Sequence, residues 1–198
     1  SRLYHTALSF LLYLFKTYIM KKLILSLSIL AFTLGMNAQN ETFTYPNNVG
    51  DELSGQYIVI EEKGTPQENY SKVINYINKT YNTPAEVIKS EIKDEYLRIE
   101  GVSDLFKNRG VTISTKHSLE FKFKEDRIKL TVLKLQEVTQ GWNITDFCTY
   151  DKTHKSNGKI KKSYMTYAIR VVDGLNELSK DIKTGIAQES SETPDDDW

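Results

Sequence analysis

The chain has 198 residues, 39% of them hydrophobic and 26% charged, an ordinary globular composition that excludes a disordered, collagen-like or multi-span membrane protein. Its formal charge is zero, but Arg2, Lys16, Lys21 and Lys22 and no acidic residue precede Gln39, so the 160 residues from Gln39 onward carry a net charge of −4. A mildly acidic body speaks against a nucleic-acid binder, whose footprint is a basic stripe. A single cysteine, Cys148, rules out an intramolecular disulfide and a zinc site built from four cysteines or from paired cysteines and histidines.

Residues 1–19 lack a methionine start and read as an upstream extension rather than part of the native protein. Residues 20–38 have the order of a secretory signal peptide: Lys21 and Lys22 form a positive n-region, Leu23 to Leu34 an apolar h-region, and Ala38 a small residue before the expected cut. Twelve apolar residues make about 18 Å of helix, short of the roughly 30 Å hydrocarbon core, so this segment predicts export rather than a permanent membrane span. Residues 39–55 are polar, contain Pro46-Asn47-Asn48 and two glycines, and read as a linker or loosely held arm.

The folded domain is expected over 56–188. At this size a domain buries roughly 70% of the surface of its unfolded chain and needs no staple. Tyr57-Ile58-Val59-Ile60 is a short β-rich run. Thr65-Pro66-Gln67-Glu68 then opens a helix: Thr65 can cap, Pro66 suits the first helical position, and Glu68 stands three residues after the cap. Tyr70, Val73, Ile74, Ile77 and Tyr81 mark its apolar face, and Asn82-Thr83-Pro84 ends it.

Strands are expected over Val87–Ile92 and Tyr96–Val102, joined at Lys93-Asp94-Glu95. Two more are expected around Leu119–Phe123 and Ile128–Val132, joined at Glu125-Asp126, because apolar and charged residues alternate in both runs. The pattern slips at Leu133, which predicts a bulge or strand end. Gly141–Lys162 reads as a long loop, and Tyr167, Ala168, Val171, Leu175, Leu178, Ile182 and Ile186 mark a closing amphipathic helix. Residues 189–198 are an acidic tail.

The order β-α-β-β-β-β-α, with every strand apolar on one side only, predicts an α+β two-layer sandwich: one antiparallel sheet, two helices on one face, the other face open. This layout, with "TPQENYSKVINYINKTYNTPAEVI", "KSEIKDEYLRIEGV", the hairpin "LEFKFKEDRIKLTV" and a leader ending "NAQ", resembles a family of uncharacterised exported bacterial domains with a TATA-binding-protein-like fold, over roughly residues 56–187. The resemblance implies the fold and export, and implies no catalytic or binding residues.

TATA-binding protein reads DNA with its open sheet face, using apolar wedges and basic residues. Here the expected open face mixes Glu61, Tyr96, Arg98, Glu100, Glu120, Lys122, Lys124, Lys129 and Thr131 and has no wedge, so no nucleic-acid partner is expected and cross-strand ion pairs account for the pattern. Cys148 and His154 share a loop, but no third orienting group or oxyanion motif accompanies them. Asp146 and Asp151 lack the fixed separation a carboxylate pair needs, and Asp195-Asp196-Asp197 lack the scaffold of a cation site.

No catalytic residue, metal or cofactor is therefore assigned. Trp142, Phe147 and Tyr150 either pin the long loop or line a recognition patch. With Tyr96, Arg98, Lys122 and Lys129 of the sheet they form the candidate interaction surface. The function expected is that of a non-catalytic exported binding module of the cell envelope, with another envelope protein or a small ligand as partner. The alternatives are a periplasmic enzyme using the 141–162 loop and an accessory subunit of an envelope complex.

Overall fold

The computed structural model describes residues 41–189; the expected upstream extension and signal peptide, and the tail beyond Glu189, lie outside the described residues. Strands β1 (Tyr57–Glu61), β2 (Ile88–Ile92), β3 (Tyr96–Asn108), β4 (Val111–Lys124) and β5 (Arg127–Glu137) form one antiparallel sheet in the order β1-β5-β4-β3-β2. Helices α1 (Pro66–Thr80) and α4 (Lys162–Glu189) pack against each other; α4 lies on β3, and α1 on β4 and β5. Two single-turn helices, α2 (Pro84–Val87) and α3 (Tyr150–Thr153), complete the set. The expected α+β two-layer sandwich is the fold observed.

Period-2 alternation builds the sheet. Ile58, Leu97, Ile99, Leu119, Phe121, Ile128 and Leu130 are buried under the helices, while their strand neighbours Arg98, Glu120, Lys122 and Lys129 point the other way. The two expected turns close at Asp94 and Asp126, which take φ of 66° and 56°, a conformation Asp adopts more readily than most residues. The slip at Leu133 is a bulge: the β4–β5 ladder passes from Ser118↔Lys134 to Leu119↔Val132, leaving Leu133 unpaired.

Helix α1 starts on the capping box. The Thr65 hydroxyl accepts from the Glu68 N–H at 3.3 Å, and the Glu68 carboxylate accepts from the Thr65 N–H at 2.7 Å. Its buried face is Asn69, Val73, Tyr76 and Ile77, rotated from the expected stripe. Tyr70 and Ile74 are only half-buried, because Tyr76 turns toward α4 and its ring lies over Gly185. The buried Asn69 amide shares its two hydrogens among the carbonyls of Glu62, Gly64 and Lys124 at 3.1–3.3 Å, tying α1 to the ends of β1 and β4.

Four expectations are corrected. The run 87–92 does not start as strand: Pro84 initiates a helical turn through Val87, and β2 begins at Ile88. The β3–β4 hairpin is longer than its two alternating cores. Both strands run on to an Arg109-Gly110 turn, past a bulge at Leu105 that shifts the pairing from Asp104↔Ser114 to Phe106↔Ile113 and hides the period.

Segment 41–55 is packed, not loose. Phe43 and Leu53 are buried in the core, the Phe43 N–H and C=O both bond the Asn176 side chain of α4, and Leu53 N–H donates to the Cys148 carbonyl at 3.0 Å. Two apolar side chains thus supply the burial that holds an otherwise polar run. Finally, 141–162 is not one open loop: it contains a 3-10 turn at Thr145–Phe147 and helix α3.

Candidate functional site

A concavity lies where the tip of the β3–β4 hairpin, the segment after β5 and the first turns of α4 meet. It is a cleft of about 600 Å³, walled by Asn108 and Arg109 from the hairpin, Trp142 and Phe147 from the connection, and Lys162, Tyr164, Tyr167 and Arg170 from α4. The local sequence explains the placement of each wall. After β5, Gly141 turns at φ 74°, and the returning chain re-pairs with the strand end: Glu137 N–H donates to the Trp142 carbonyl at 2.8 Å and Ile144 N–H to the Leu135 carbonyl at 2.7 Å.

Ile144 is buried beneath, so the backbone that carries Trp142 is fixed while the indole itself stays 60% exposed. Phe147 meets Tyr167 edge-on at 6.2 Å between ring centres, and Tyr167 meets Phe106 likewise at 5.4 Å. Phe147 and Tyr167 form the floor, and Phe106 supports Tyr167 from outside the cleft. Burial pushes the Tyr167 phenol up to about 12, so it is a neutral hydroxyl at physiological pH. Arg170 donates to the Asn108 side-chain oxygen at 3.2 Å, which links α4 to the hairpin tip.

The candidate residues separate into three places. Trp142 and Phe147 share the cleft. Tyr150 does not: it stacks at 4.1 Å between ring centres on His154, the residue that ends α3. Tyr96, Arg98, Lys122 and Lys129 lie on the sheet face turned away from the helices.

On that face Arg98 lies 3.4 Å from Glu100, Lys116 3.0 Å from Glu100 and Lys122 3.2 Å from Glu120, while the Lys129 ammonium sits 3.8 Å from the centre of the Tyr57 ring. The Lys116 bond holds the Glu100 carboxyl below its ordinary value. Only the Lys116–Glu100 pair crosses strands, from β4 to β3; the other two join residues two apart on one strand, where successive side chains of a face are neighbours, and all three are surface pairs worth little individually. Sequence reasoning missed Arg109, Tyr164, Tyr167 and Arg170; Arg-Gly between two strand-forming runs was the one local signal for the hairpin tip.

The catalytic alternatives find no constellation among the described residues. Cys148 is fully buried and burial pushes its thiol up to about 12, the reverse of an activated nucleophile. The His154 ring engages Tyr150 and, at 3.0 Å, the Thr153 hydroxyl. The Asp146 carboxylate accepts from the Asn143 amide at 2.7 Å, and Asp151 is exposed. No three His, Cys, Asp or Glu side chains among the described residues gather as a metal-ligand set, and no described helix is long and apolar enough to cross a membrane.

Cys148→Ala is expected to lower stability by only about 1 kcal/mol. Iodoacetamide should label wild-type Cys148 slowly in buffer and rapidly in denaturant. Fast labelling of the folded protein near neutral pH would show that the thiol is not packed as described.

One five-stranded antiparallel sheet with two long helices on one face defines the class, an α+β sandwich whose other sheet face is covered by no described helix. Solved structures that resemble this chain include two bacterial proteins. A DUF4468 family protein from Bacteroides ovatus superposes with a TM-score of 0.52 at 8% identity, over 74% of this chain and 92% of that one. A TBP-like protein from Parabacteroides distasonis superposes with a TM-score of 0.48 at 10% identity, over 67% of this chain and 91% of that one. At 8% identity the likeness to the DUF4468 family protein is one of fold alone. No family model and no curated protein matches the sequence.

Proposed function

We propose that this chain is a non-catalytic binding module of the bacterial cell envelope, exported by the segment Met20–Ala38, and that it binds its ligand in the cleft between the hairpin tip, Trp142 and the start of α4. The observation that carries the binding reading is the cleft itself. A volume of about 600 Å³ falls within the range of small-molecule sites, roughly 300–1,000 Å³. Its walls combine rigidly mounted aromatic rings with a few polar groups, the composition such sites have. The sheet face, by contrast, offers mixed charge, its cations set beside glutamates or over a tyrosine ring.

Trp142 makes the test direct. The chain has two tryptophans, Trp142 and Trp198, so Trp198→Phe leaves one indole, in the cleft. A panel of small ring compounds, neutral and charged, is titrated against this variant with emission and melting temperature as readouts. A saturable change in Trp142 emission, with a melting temperature that rises with ligand concentration, is expected for at least one class. The thermal shift should vanish in Trp142→Ala, which removes only an exposed side chain. A panel without any saturable response would refute the reading.

A further inference from the structure

We propose that the cleft selects an anion carried on a flat ring: Arg109, Lys162 and Arg170 receive the acidic group, and Trp142 and Tyr164 cover the ring. The inference rests on the cleft being the binding site and adds the chemical class of its occupant. The first support is charge. Three cations wall the cleft and no carboxylate does, in a body whose net charge is −4. Among the described residues none of the three is in an ion pair, and Arg170 has only the neutral Asn108 amide, whereas Lys72, Lys116 and Lys122 each lie beside a glutamate. Asp173 and Glu177 line a second hollow, which shares Arg170 with the cleft, and are not among the cleft's own walls.

The second support is how the cations are mounted. Arg109 occupies the first position of a two-residue hairpin turn at φ 51°, followed by Gly110 at φ 84°. Asn or Gly usually fills that first position, and a non-glycine residue with a long side chain there costs on the order of 1 kcal/mol. The turn therefore spends stability on projecting a guanidinium at the cleft mouth. Lys162 is the first residue of the 28-residue helix α4, and Ser163 and Thr166 place two hydroxyls on the same wall. A helix start adds partial positive charge to that of the side chains.

The third support is the ring. Trp142 and Tyr164 are 60% and 45% exposed above the floor of Phe147 and Tyr167. Exposed aromatic faces beside guanidinium groups match a solute with one flat apolar face and one acidic end; the flat face can be aromatic or that of a sugar ring. A bare anion would leave the indole uncovered, and a neutral ring would leave the cations unmatched.

Calorimetric titration of the full chain with 2-naphthyl phosphate, naphthalene-2-sulfonate, 2-naphthol, inorganic phosphate and a glucuronic acid disaccharide tests this. At least one ring-bearing anion should bind tenfold or more tighter than both 2-naphthol and phosphate, and the gap should narrow as salt rises. Whichever of the naphthyl anions and the uronic acid binds tighter identifies the ring. Arg109→Gln and Arg170→Gln should each weaken the anion several-fold and leave 2-naphthol unchanged, with Lys180→Gln on the exposed side of α4 as an unaffected control. If 2-naphthol binds as tightly as the anions, or the arginine variants bind them normally, the anion assignment falls and the cleft stands as a site for neutral rings. Absence of binding by all five probes overturns the assignment as well.

Discussion

Gly174→Ala is expected to destabilise the domain by about 3 kcal/mol, the upper end of what overpacking usually costs. At an exposed position inside a helix the same change would stabilise by about 1 kcal/mol, so the sign alone is diagnostic. Gly174 lies in the middle of α4, where the helix crosses β3. A Cβ there would run directly onto the Leu105 carbonyl oxygen and come within 2.9 Å of the carbonyl carbon. Both are backbone atoms and cannot swing aside.

Leu105 is the bulged residue of β3, so its carbonyl leans out of the ladder toward the helix. To admit the methyl group α4 must lift from the sheet, loosening Val171 and Leu175, which are both fully buried. Urea unfolding should show a lower midpoint with an unchanged slope, and Lys180→Ala on the exposed side of α4 should shift the midpoint little. A stabilised Gly174→Ala would mean that helix and bulge do not touch.

The stability of the domain is expected to fall by about 2 kcal/mol between pH 7 and pH 5 through one buried imidazole. His117 is fully buried in β4, opposite Gly101. Its Nε2 lies 3.1 Å from the Tyr81 hydroxyl and its Nδ1 3.4 Å from the Ser103 hydroxyl. Gly101 is the residue that makes room, since a Cβ there would come within 2.6 Å of the imidazole and of the Tyr81 ring. Burial lowers the His117 pKa from 6.5 to about 4 and raises that of Tyr81.

Between pH 6.5 and 4 the unfolded chain therefore binds a proton that the folded chain refuses, and stability drops as pH falls through this window, levelling off below it. The Asp51, Glu68, Glu100 and Glu137 carboxyls are all held below their ordinary values, so their contributions are lost only at lower pH, as it falls through and below the ordinary carboxyl range. His117→Phe should cost stability at pH 7, because the Tyr81 hydroxyl loses its nitrogen partner, and should flatten the profile between pH 7 and 5. Denaturant midpoints at the two pH values read this out; an undiminished drop in the variant would assign the titration to another group.

Both effects arise at places the sequence leaves blank. His117 sits in a stretch with no recognisable period, and the glycine in the closing helix interrupts a stripe that is otherwise regular. Blurred alternation around Leu105 is what the bulge produces: one added residue exchanges the two sides of the strand, so a period-2 reading stops at Val102 although β3 continues to Asn108. Arg109-Gly110, read with the partner strand in view, is a hairpin turn; read alone it joins two runs that show no common register.

What the residues determined by themselves is what local geometry controls. The Thr65–Glu68 box caps α1 because its two bonds span three residues, the strands of the sheet alternate because the pleat has period 2, and Asp94 and Asp126 turn because their own backbones tolerate positive φ. Those short-range preferences were enough to specify an α+β sandwich with its helices on one face of the sheet. The tertiary structure decided which aromatic residues meet. Trp142 and Phe147 join Arg109 and Arg170 in one cleft, while Tyr150, three residues after Phe147, stacks on His154 instead. Partners that far apart in the chain are brought together by the length of the β3–β4 hairpin and the path of α4 across its bulge, and both depend on pairing and packing between segments that no local pattern records.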